Sequence, residues 1–152
     1  MRKFAFTLKS LLNVKISLEK QKTIELSDQN RRILLLEGEL EALRARLRAS
    51  TDEFNAKMEH GGGMRSGIAA AYSSGFRALH DRIIEQIEKI RRAVIVRERI
   101  MAELTELMGE RKMLEKLREK QYQEYLEEVR REEAKIIDDY MSTKIIGDMQ
   151  DG

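Results

Sequence analysis

Three observations predict an all-α chain, a long antiparallel two-helix coiled-coil hairpin. The 152 residues include no proline. Apolar residues return every seven positions over most of the length, a repeat that holds one stripe on a single face of an under-wound helix and that only another helix can cover. One strong break, Glu59-His60-Gly61-Gly62-Gly63-Met64-Arg65-Ser66-Gly67, divides the pattern in two.

The first column is Leu12, Leu26, Ile33, Leu40, Leu47 and Phe54, interrupted only by Glu19. It predicts a helix over about 7–59, with its best zipper at Ile33-Leu34-Leu35-Leu36, Leu40, Leu43 and Leu47. Lys15, Lys22 and Gln29 fall where the partner helix should be, which weakens the seam there and restricts its register. Gly38 sits inside the zipper at a cost of about 1 kcal/mol relative to alanine.

Four of the residues 59–67 are glycine, enough to allow positive φ and end a helix, so the reversal is placed at the triple glycine. A helical stripe resumes with Met64, Ile68, Tyr72, Phe76 and Leu79, but Ser73-Ser74-Gly75 forms helix poorly. Residues 60–75 are therefore read as turn and tip, holding either a short separate helix or the frayed start of the next one. Gly38 and Gly109 are equidistant from residues 72–74, so a reversal there, bringing the two glycines opposite each other, is the alternative. The second helix is predicted over about 76–146. Its column is Ile87, Val94, Met101, Met108, Tyr122, Val129 and Ile136, interrupted by Glu115, with Arg97 and Arg111 intruding on the seam. This helix is longer than the first, so its C-terminal part should project past the hairpin or meet another protein. Residues 1–146 thus form one hairpin, and 147–152 a disordered tail.

Charged residues make up 37% and aromatics 5%, the balance of long helices rather than of compact domains. Helices of about 55 and 70 residues would span about 80 and 105 Å, leaving a seam in place of a pocketed core. A net charge of +2 argues against nucleic acid as a partner. Its distribution is uneven: residues 1–22 hold six lysines or arginines and one glutamate, and residues 132–152 six acids and two lysines. In an antiparallel hairpin these segments should lie near each other and help select register. No cysteine is present, which excludes disulfides and thiolate zinc sites. No apolar run approaches the ~20 residues of a membrane span, and Lys9 and Lys15 break the signal-like start, so the chain is read as unprocessed and soluble.

Chemical motifs are weak. Gly62 and Gly67 have phosphate-loop spacing, but Ile68 and Ala69 stand where lysine and serine or threonine must be, so a turn is the better reading. His60 and His80 have no second ligand at metal-binding spacing. Glu37 and Glu41, Glu127 and Glu128, and Asp138 and Asp139 belong on solvated helix faces, with i,i+4 partners such as Glu127 and Arg131. No nucleophile, base and orienting group form a set, so no enzyme, cofactor or metal is expected. Phe4, Phe6, Leu8, Leu11 and Leu12 admit three uses: anchoring in a protein groove, packing within the hairpin, or resting on an anionic membrane beside Lys9 and Lys15. The stripe from Met64 to Leu79 is either internal packing or a docking surface.

The start Lys3-Phe4-Ala5-Phe6-Thr7-Leu8-Lys9-Ser10-Leu11-Leu12, leading to Lys15 and Glu19, resembles the opening of the bacterial flagellar export protein family FliJ. The segment Leu114-Glu115-Lys116-Leu117-Arg118-Glu119-Lys120, followed by Tyr125, Arg131-Glu132, Lys135 and Asp138-Asp139, resembles that family's C-terminal half, with Asp139 where the family often has glutamate. The stretch from Gly63-Met64 through Tyr72, Phe76 and Leu79 is similar to its hairpin tip. Stalk proteins of virulence type III secretion share the architecture, and the paired phenylalanines favour the flagellar branch. The resemblance implies a non-enzymatic stalk and escort protein, cytoplasmic and peripheral to the inner membrane at the flagellar base, and a monomer when isolated. Its implied partners are a hexameric export ATPase, the cytoplasmic domain of the membrane export gate, and export chaperones. Mapped onto this chain, Phe4, Phe6, Leu8, Leu11, Val129, Ile136 and Tyr140 would meet the ATPase, and Met64, Ile68, Tyr72, Phe76 and Leu79 the gate. The rival reading is a generic coiled-coil scaffold.

Overall fold

The computed structural model describes residues 2–60 and 65–151. Two helices, α1 (Lys9–Glu59) and α2 (Ser66–Asp151), pack against each other as a hairpin, with no strand among the described residues. The triple glycine expected to reverse the chain, and the candidate Met64, lie outside the described residues. The chain divides into two compact units, the first formed by Met1–Lys20 and Thr105–Gly152, the second by Gln21–Leu104.

α1 begins where the backbone first closes on itself, with the Lys9 amide donating to Phe6 O at 3.2 Å and the Leu12 amide to Leu8 O at 2.9 Å. Its last turn carries Lys57, a cation that suits the negative end of the helix dipole. α2 opens with the amides of Ile68 and Ala69 donating to Arg65 O at 2.9 and 3.1 Å. It starts ten residues before the expected Phe76, so Ser73, Ser74 and Gly75 lie within it and no separate tip helix is formed. Packing overrides propensity here: Tyr72 and Phe76 lie against Phe54, and Leu79 is buried. The helix also continues through Gly147 to Asp151, where the composition suggested a disordered tail.

In the second unit the partners run antiparallel. Lys22 meets Glu103, Gln29 meets Ala93, Leu36 meets Gln86, and Glu53 meets Tyr72. That order rules out a reversal at residues 72–74, which are helical, with Tyr72 packed on α1. Gly38 and Gly109 are not pressed together either, since a Cβ added at either would meet nothing within 4 Å. Ile33, Leu40, Leu79, Ile83, Ala93 and Ile100 are buried, and Ile100, 2% exposed, is the most enclosed large side chain.

The buried column of α2 differs by one residue from the expected one. Leu79, Gln86, Ala93 and Ile100 face α1 in this unit, while Ile87 and Met101 are 45% and 44% exposed. α2 carries two adjacent apolar columns, and the expected one holds more aliphatic bulk. The other wins because it turns Glu103 toward Lys22 and places Gln86 to donate to Leu36 O at 2.9 Å and to Glu39 Oε2 at 2.9 Å. The small side chain of Ala93 leaves its carbonyl open to Gln29 Nε2 at 2.8 Å. Buried polar groups without partners cost more than a few exposed methyl groups.

The first unit follows the same rule with less apolar burial. Leu12 and Phe6 are buried, and the seam is otherwise closed by ion pairs: Lys15 Nζ to Glu110 Oε2, and Arg111 Nε to Glu19 Oε2, both at 2.5 Å. Glu110 Oε2 is shielded from solvent, and the lysine is its counter-charge. Glu19, which interrupts the apolar column of α1, is therefore matched by Arg111, the intruder in α2. The charge-rich termini do not face each other as expected. Tyr125 Oη donates to Arg2 O at 2.7 Å and Thr7 meets Gln121, so the basic start lies beside residues 121–125, and residues 131–146 are exposed throughout.

Ile100→Ala should lower the unfolding free energy by about 2–4 kcal/mol, whereas Ile95→Ala, at an exposed position, should change it by less than about 0.5 kcal/mol. Gly38→Ala should raise it by about 0.5–1 kcal/mol, because nothing obstructs the new methyl group and the unfolded chain loses freedom. Urea unfolding followed by helical circular dichroism checks all three.

Candidate partner-binding surfaces

In the first unit the expected residues divide by role. Phe6 is buried at the start of α1, and Phe4 is half-buried, its ring 5.1 Å from Tyr122 in an edge-on arrangement and 5.6 Å from Tyr125. Leu8 and Leu11 are 37% and 42% exposed. Val129 is half-buried beside the N-terminal segment, at the edge of a cleft of about 810 Å³ also lined by Arg2, Phe4 and Tyr125. Ile136 and Tyr140 are 65% and 66% exposed, and Ile137 and Met141 are exposed with them.

That last group explains itself by position. Along α2 the seam spacing passes through Leu114, Gln121 and Tyr125 and would continue at Glu128, Glu132, Lys135, Asp139 and Ser142. Those positions are polar, so the helix beyond Tyr125 is not built to pack on α1. Its apolar residues, Val129, Ile136, Ile137, Tyr140 and Met141, have moved to neighbouring faces. Ile137 and Met141, four residues apart like Ile136 and Tyr140, form a second exposed column about 100° round the helix, and the seven-residue column of Ile136 does not point to them.

In the second unit Tyr72, Phe76 and Leu79 are turned inward. Phe54 lies 5.4 Å from Tyr72 and 5.7 Å edge-on from Phe76, and Leu79 is buried behind them. Tyr72 Oη donates to Glu53 Oε1 at 3.0 Å, and Lys57 Nζ stands 5.1 Å over the Tyr72 ring. The tyrosine phenol, more than Glu53, raises the Lys57 pKa. Ile68 stays 45% exposed, as does much of Met58 nearby in sequence to the turn. The aromatic stripe thus provides internal closure, with Ile68 as its free member. Phe54 was legible as a seam residue, but its partnership with two rings needed the register.

The electrostatics belong to the seam rather than to a reactive centre. Glu103 is held below the ordinary carboxylate pKa, first by its hydrogen bond from Lys22, and Lys22 is raised in turn, first by Glu103. Arg111 is raised chiefly by Glu19. Glu88 is lowered to about 2 by Arg91 first, a pair within one helix. Among the described residues no three histidine or acidic side chains converge to hold a metal ion, and no helix is long and apolar enough to cross a membrane.

The described residues form an all-α, two-helix hairpin whose seam carries polar layers and whose apolar side chains recur on uncovered faces. The chain belongs to the FliJ family: the family model described as Flagellar FliJ protein matches residues 4–149. Membership makes it a component of the flagellar export apparatus. No curated protein and no solved structure matches the chain.

Acid should loosen the hairpin with a definite sign. Glu103 has a lowered pKa in the folded state, so its contribution is present above its ordinary 4.5 and is lost as pH falls through the lowered value. Lys22 is raised, so its share persists up to its ordinary 10.5 and is lost only above that. The melting temperature should therefore fall as pH drops below about 4.5, and Glu103→Gln should melt lower at neutral pH with a shallower acid limb. Thermal melts of both proteins across that range decide it, and superimposable profiles would contradict the assignment.

Proposed function

We propose that this protein is a non-enzymatic stalk and escort component of the flagellar type III export apparatus. It bridges the hexameric export ATPase ring and the cytoplasmic domain of the membrane export gate, and it assists export-chaperone recycling. In this reading it works in the cytoplasm, peripherally associated with the inner membrane at the flagellar base. Family membership supports the assignment to the apparatus. The observation that carries the ATPase contact is the stretch of α2 beyond Tyr125, where seam positions turn polar and Ile136, Ile137, Tyr140 and Met141 are exposed on other faces. Leu8, Leu11 and Val129 join this surface in the same unit, whereas Phe4 and Phe6, packed within the hairpin, are not assigned to the contact. The gate contact is assigned to Ile68, backed by the inward packing of Tyr72, Phe76 and Leu79; Met64, expected in the same contact, lies outside the described residues.

Ile136→Asp with Tyr140→Asp should abolish co-elution with the purified export ATPase while leaving the helical signal intact, since neither side chain is buried. Binding at the wild-type level would remove this stretch from the ATPase contact. Ile68→Asp should weaken binding to the gate's cytoplasmic domain at least about tenfold, as expected for an anchor at an interface. It is a cleaner probe than Tyr72 or Phe76, whose truncation would also open the packing on Phe54.

A further inference from the structure

Residues 2–6 precede α1 without regular structure, yet they are held against α2. Four contacts hold them and the following Thr7. Phe6 is buried, and Phe4 rests on Tyr122 and Tyr125. Tyr125 Oη donates to Arg2 O, and Thr7 and Gln121 are joined at 3.3 Å. An open cleft of about 810 Å³ runs along the segment, lined by Lys3, Phe4 and Ala5 together with Gln121, Tyr125 and Val129 of α2.

What the strap rests on directly precedes the surface described above. Tyr122, Val129 and Ile136 are spaced by seven, a single column of α2, and Phe4 lies on the first member. A partner that grips Ile136 and Tyr140 and extends toward the hairpin seam meets Val129 next and then finds Tyr122 already occupied. We propose that residues 2–7 are an autoinhibitory strap: Phe4 holds the place of a partner side chain on Tyr122 and Tyr125, and docking of the export ATPase displaces it. This rests on the reading of the α2 stretch beyond Tyr125 as the ATPase contact. A closed strap lowers the apparent affinity by the fraction of molecules in which it is open, so weakening it raises affinity without adding any contact.

The strap and an ordinary anchor predict opposite signs. Phe4→Ala should bind the export ATPase more tightly, by about threefold or more, if Phe4 is a placeholder. It should bind more weakly if Phe4 is itself an anchor. A second variant guards against a folding defect. The chain has no cysteine, so Thr7→Cys with Gln121→Cys can be bridged by a short bis-maleimide at exposed positions. The bridged protein should lose affinity relative to the same protein left unbridged. Weaker binding by Phe4→Ala together with no effect of the bridge overturns the strap while leaving the ATPase contact standing. If Ile136→Asp with Tyr140→Asp binds normally, the underlying contact is wrong and the strap falls with it.

Discussion

Lys15, Lys22 and Gln29 stand on α1 where the helix turns toward α2, and none of them can stay there unpaired. Their needs decide how α2 is rotated. The face of α2 that meets α1 offers Glu110, Glu103 and the Ala93 carbonyl to these three side chains, and brings Gln86 to Leu36 O and Glu39. A neighbouring face with Ile87, Val94 and Met101 would have buried more hydrocarbon, deprived Lys15 and Gln29 of their cross-helix partners, and left Lys22 only Glu25 of its own helix. Aliphatic layers such as Ile33, Leu40 and Ile100 supply adhesion that many registers could share, whereas the polar layers accept very few. Part-exposed ion pairs of this kind add little to stability individually, so their effect is felt as selection among packings.

That selection shapes the surfaces left over. Once the polar-matched face is used for the seam, the Ile87 column of α2 lies at its flank, half-covered at best. In the first unit Tyr125 donates to Arg2 O, and from Glu128 onward the seam positions of α2 are polar. α2 continues as helix with acids and lysine at the seam positions and hydrocarbon elsewhere. An exposed, apolar-faced stretch of this kind is the feature a partner would use, and Phe4 covers Tyr122 and Tyr125 just ahead of it.

Much of this was legible in the sequence, for physical reasons. Helix type, pairing and the buried column of α1 follow from a seven-residue repeat without proline, and the residues that interrupt it, Lys15, Glu19, Lys22 and Gln29, announce a seam with polar layers. The buried column of α2 was not legible. Two apolar columns lie side by side there, and only the demand of α1's lysines for Glu103 and Glu110, a relation between distant segments, separates them. Ser73, Ser74 and Gly75 read as helix breakers because their propensity is local, whereas the rings of Phe54, Tyr72 and Phe76 that hold them helical meet only after the chain has folded back. For the candidate surfaces, the sequence picked out Ile136 and Tyr140 as apolar residues near the C-terminus. It could not tell that Phe4, Phe6 and Leu79 are spent on internal packing while Ile137 and Met141 are free.

The most direct test of this account is a distance within the second unit. Spin labels at Arg31 and Ile95, both exposed and on the outer faces of a pair of helices in the proposed register, should report a separation of roughly 25–35 Å by pulsed electron resonance, given axes about 10 Å apart and side chains directed outward. The distance should persist when labelled protein is diluted with unlabelled chain, because it arises within one molecule. A separation approaching the roughly 95 Å of 64 residues of uninterrupted helix, or a signal that vanishes on dilution, would mean that α1 and α2 of one chain do not close on each other, and the seam would have to be reassigned.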